Sequence, residues 1–139
     1  MIRLIAADTG AGKTKTLIAR ANESLKSTNG HIVYLDIDDS HMFDLRHEIR
    51  YINVTEYPIQ NESEFFGFMC GILSEDADID EIYIDGLLRL CHIPMDNERV
   101  DHLVERLRLL SDKFNVKFII SISADINKLP DDLKDYLMV

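Results

Sequence analysis

The chain has 139 residues, 46% of them hydrophobic and 29% charged, with a formal net charge of −10. That length predicts one domain, 1–139, with a proper core and no space for a second. No basic cluster stands beyond Lys13 and Lys15, which disfavours nucleic acid and anionic membrane surfaces as partners, since both need several Lys or Arg on one face.

Taken in order, Ile2 to Ala6 is an apolar run that predicts a buried strand. Next come Ala7-Asp8-Thr9-Gly10-Ala11-Gly12-Lys13-Thr14, and then an amphipathic stretch from Thr16 to Leu25 at helical spacing. Strand, glycine-rich loop and helix in that order is the context of the phosphate-binding motif G-x-x-x-x-G-K-[ST]. Gly10 and Gly12 let successive backbone N–H groups turn inward toward phosphate oxygens. A helix start adds unpaired donors and the positive end of its dipole. Thr9, Gly10, Ala11, Gly12, Lys13, Thr14 and Lys15 are therefore the expected nucleotide-binding residues. Lys13 would reach the terminal phosphates, and the Thr14 hydroxyl would help to hold Mg2+. One departure stands out: the first motif position is Ala7 rather than Gly.

Asn29-Gly30 reads as a helix stop, and His31 to Leu35 as a buried parallel strand running into Asp36-Ile37-Asp38-Asp39. Carboxylates crowding a strand's carboxyl end lie where open α/β sheets place ligands. Tyr51 to Val54 predicts a short edge strand. Asn61 and Glu64 form a capping-box pattern that opens a helix over 62–73, and its Gly67 and Gly71 are expected to let a neighbour approach closely. The acidic run from Glu75 to Asp80 reads as a solvated loop, and 81–86 as a strand ending at Asp85-Gly86. Asn97 to Phe114 has the clearest helical periodicity, Lys117 to Ser121 is another buried strand, and Pro130 can start a final helix through Leu137. Strands alternating with helices predict an α/β fold: a parallel sheet of about five strands with helices on both faces.

With the loop, Ile82-Tyr83-Ile84-Asp85 resembles the second signature of the P-loop NTPase superfamily, and the order of elements looks most like its RecA-like branch. The resemblance implies that Asp85 supports Mg2+ beside Thr14. It implies a sheet in which the loop strand lies beside 117–121, followed by the Asp85 strand, then 31–35, with 51–54 at the edge. It further implies that Ser121 and Ser123 stand near the γ-phosphate, and that Asp38 matches the water-activating carboxylate. The expected ligands are thus Mg2+ and ATP, with Lys13 and Asp38 as catalytic residues. Many members carry Glu directly after the strand-ending Asp; here Gly86 stands there. The chain is also similar to small bacterial P-loop proteins labelled as twitching-motility ATPases, but it is far shorter than a pilus motor and that role is not carried over.

A guanine-reading N-K-x-D is missed because Pro130 follows Asn127-Lys128-Leu129, so ATP is favoured over GTP. The expected function is a slow Mg2+-dependent ATPase. The alternatives are a nucleotide-gated interaction module and a small-molecule or nucleoside kinase. Neither an Arg-rich insertion nor a C-x-x-C favours the kinase. Of the five histidines, His41 beside the Asp36–Asp39 cluster is the one singled out, and that cluster is weighed as a cation site. Arg89 reads as a surface ion pair, with contact to nucleotide or to a neighbouring subunit as its alternatives. Cys70 and Cys91 read as reduced core residues, and the strand opening at Ile2 leaves no leader segment, so a cytoplasmic protein is expected. No strand is left to cover the outer edge of the first one. That edge predicts a homo-oligomer or a protein partner.

Overall fold

The computed structural model describes residues 1–94 and 97–138. Five strands, β1 (Ile2–Ala7), β2 (His31–Asp36), β3 (Arg50–Asn53), β4 (Ile79–Ile84) and β5 (Lys117–Ser123), form one sheet in the order β1-β5-β4-β2-β3. Every pairing is parallel, so each connection must cross over a face. α1 (Lys13–Ser24) joins β1 to β2, a 3-10 turn at Met42–Asp44 lies between β2 and β3, α2 (Glu62–Glu75) joins β3 to β4, α3 (Leu87–Leu90) and α4 (Asn97–Phe114) join β4 to β5, and α5 (Asp131–Lys134) follows β5. The strand order is the one set out above. Among the described residues no helix is long and apolar enough to cross a membrane.

The two-residue period of the strands divides the core. Val33, Leu35, Ile82, Ile84, Phe118 and Ile120 point to one face, where they meet Phe65, Met69 and Leu73 of α2 and Val100, Leu103, Val104 and Leu107 of α4. Ile32, Tyr34, Tyr83 and Ile119 point to the other, against Leu17, Ile18 and Ala21 of α1 with Leu45 and Ile49. The same alternation sends Asp36, Asp85 and Ser121 to the α1 side at the carboxyl ends of their strands. The site is built there.

Several local expectations are corrected. Asn61 Oδ1 accepts from the Glu64 N–H, but Glu64 reaches back to the Gln60 N–H rather than to that of the cap itself. Gly67 and Gly71 face solvent, and an added Cβ would meet nothing within 4 Å, so no neighbour approaches there. The acidic run is not all loop, because Ile79 is buried and opens β4. The final helix stops at Lys134, since the chain beyond it has another use. Leu4 N–H donates to the Tyr136 carbonyl at 2.8 Å, and Met138 N–H donates to the Leu4 carbonyl at 2.8 Å. The tail thus forms one parallel bridge to the middle of β1, Leu4 with Leu137, on the edge that the other strands leave open.

Candidate functional site

Ala7 ends β1 in register with Ser123, and its carbonyl accepts from the Ala124 N–H. It is extended backbone that needs no glycine, which explains why a methyl group is tolerated at the first motif position. Gly10 and Gly12 have φ of +87° and +86°, a region that side chains enter only with strain. Gly12 is the N-cap of α1 and supplies no side-chain cap, and the first turn holds no acid. The leading N–H groups of the helix therefore open toward the loop with the dipole's positive end behind them. Lys13 Nζ donates to the carbonyls of Ala7 at 3.0 Å and Asp8 at 2.8 Å. An ammonium has three donors, so one remains for a ligand.

Facing the loop is a cavity of about 340 Å³. Thr9, Gly10, Gly12, Lys13, Thr14 and Lys15 line it from the loop side, and Asp85 and Ser121 line it from the sheet. Ala11 belongs to the loop but does not line the cavity, and its N–H closes a turn onto the Asp8 carbonyl. Asp38 does not line it either. Its Oδ1 accepts from both the N–H and the hydroxyl of Ser40, and those bonds hold its carboxyl below the usual range. Asn127 and Lys128 lie away from the cavity in an exposed turn capped by Asp125.

Asp85 is buried, and two hydroxyls hold it. Tyr34 donates to Oδ2 at 2.8 Å, Ser121 donates to Oδ1 at 3.0 Å, and the Ser121 oxygen accepts from the Gly86 N–H at 2.7 Å. Both carboxylate oxygens keep lone pairs for further partners. Tyr34 is the middle of a ladder: register places Tyr51 and Tyr83 beside it, with ring centroids 6.0 and 5.9 Å away. Each ring ends on a carboxylate, Tyr51 on Asp36 and Tyr83 on Glu81. Burial pushes all three phenols above their ordinary value, and the neighbouring carboxylates push the same way. Burial also raises Asp36, opposed by the Ile37 N–H and reinforced by the charge of Asp85.

Gly86 has φ +86°, so a Glu there would pay left-handed strain. The Asp36–Asp39 carboxylates diverge, Asp36 inward onto Tyr51 and Asp38 onto Ser40. Among the described residues no three His, Cys, Asp or Glu form a metal-holding group. The hard oxygens at the cavity, the Thr14 hydroxyl and the Asp85 carboxylate, suit a Mg2+ that keeps water and takes its remaining ligands from phosphate.

One contributor is not readable from the sequence: Tyr34 reads only as a strand residue, because Asp85 lies 51 positions away and meets it only through the β2–β4 register. Arg89, for which an ion pair and a nucleotide contact are both open, joins no ion pair among the described residues and lines the cavity with Gly86 and His41. His41 also meets Asp44, Nδ1 to Oδ2, at 3.1 Å. No protein-family model matches the chain and no curated protein matches it, so the chemistry rests on these residues themselves.

Proposed function

We propose that the chain is a P-loop protein that binds ATP with Mg2+ and hydrolyses it slowly. The observation that carries this reading is the convergence on one cavity of Lys13, Thr14, Asp85 and Ser121 in front of an uncapped helix start. Turned amides and a lysine tip match a polyphosphate chain in charge and in donor geometry. Lys13 and the α1 amides bind the phosphates. Thr14 and Asp85 hold the ion, which when bound neutralises charge that develops on the transferring phosphoryl group. Tyr34 and Ser121 fix the Asp85 carboxylate.

Slowness follows from what lines the cavity. Asp85, already engaged, is its only carboxylate among the described residues. Asp38, the matching position for a base, stands outside the cavity lining with its Oδ1 on Ser40, so it must turn inward before it can orient water there. The same observation favours a second reading, an interaction module gated by nucleotide without turnover. Phosphate release from Mg–ATP separates the two. Release that falls at least tenfold in Asp38→Asn supports the ATPase with Asp38 as base. Release equal to that of wild type removes Asp38 from the mechanism, and no release at all leaves the gated module.

A further inference from the structure

We infer that the cavity beside α3 is a second small-molecule site, which takes an anion with a compact apolar body. It lies outside the triphosphate reading and does not depend on it. Ile37, Val54, Ile59 and Leu90 line a space of about 180 Å³ with the Thr55 hydroxyl, and Arg89 and His92 complete it. Drug-sized ligands need several hundred Å³, so this volume fits one substituted ring or a short branched chain rather than a nucleoside.

The two basic side chains set the charge. Both are exposed, and neither joins an ion pair among the described residues, in a chain with 25 acids against 15 Lys and Arg. His92 is also held where glycine would be easier. α3 closes with the Ile93 N–H on the Leu88 carbonyl at 3.0 Å and the His92 N–H on the Arg89 carbonyl at 3.3 Å, which leaves His92 at φ 55°. Histidine enters that region more readily than most side chains, but glycine does so with no strain. An exposed imidazole gains little from burial there, so its use is sought in the cavity that it lines. Arg89 lines the loop cavity too, and with His92 it also lines the open space between the two beside Thr9 and Ser123.

The test uses methyl-labelled protein and two probes, phenyl phosphate and benzoate, with inorganic phosphate and benzyl alcohol as half-ligands. Either probe should shift the methyl signals of Ile37, Val54, Ile59 and Leu90 saturably, and whichever binds tells a phosphate ligand from a carboxylate. The half-ligands and the Arg89→Gln variant should each bind at least tenfold more weakly. His92→Gly should bind the probe at least threefold more weakly while its Tm stays level or rises, which separates recognition from folding. Lys13→Ala should bind it as wild type does, whatever becomes of the nucleotide. Absence of saturable shifts with both probes would overturn the inference. So would shifts unchanged by Arg89→Gln and His92→Gly, or binding lost in Lys13→Ala, which would put the anion in the loop.

Discussion

The Tyr34 hydroxyl and the Asp85 carboxylate meet in the interior, 2.8 Å apart, at the floor of the cavity. Tyr34→Phe leaves that oxygen short of a donor, and losing a hydrogen bond to a charged buried group costs about 1.5–3 kcal/mol. Urea denaturation at neutral pH should show a loss in this range, and the apparent affinity for Mg2+ in the presence of nucleotide should fall with it. Asp38 gives a prediction in pH. Its folded value is lowered by Ser40, so it contributes stability above the ordinary carboxylate value, about 3.9, and that contribution is lost as pH falls through the lower folded value. The stability difference between wild type and Asp38→Asn should therefore shrink toward zero as denaturation is repeated from pH 6 down to pH 2. Cys91 differs again: burial pushes its thiol up to about 12, so it should stay unreactive toward alkylating agents in the folded protein at pH 8.

At the scale of elements, the loop, α1 and the carboxyl ends of the strands were legible because each carries a local signal. Glycine pairs, strand-ending carboxylates and the α4 periodicity are all read within a dozen residues. What was not legible depends on contacts between distant segments. Tyr34 reaches Asp85, and the tail reaches Leu4, only after register is fixed. Gly67 and Gly71 misled because spacing alone does not show which helix face a neighbour covers. The single-turn α3 carries its own test. His92→Gly exchanges left-handed strain of about 1 kcal/mol for roughly half that in unfolded-chain entropy, a net gain of about 0.5 kcal/mol in thermal denaturation. Leu103→Ala in α4 removes a fully buried side chain and should cost about 2–5 kcal/mol.

Over the whole molecule, the sheet divides two tasks between its faces. One face buries α2 and α4 and supplies most of the core, while the other carries α1, the tyrosine ladder and the loop. The tail bridges to β1 at Leu4. Removing residues 136–139 should expose that edge and raise the sedimentation coefficient by self-association, whereas the intact chain should not depend on concentration. Calorimetric titration with Mg–ATP tests most directly the proposal that the turned amides, Lys13 and Thr14 hold a triphosphate. Wild type should bind with a single-site isotherm, and Lys13→Ala should bind about 10- to 100-fold more weakly, as loss of a charge-assisted contact requires. A wild-type titration without heat or thermal shift, or an isotherm unchanged in Lys13→Ala, would contradict it.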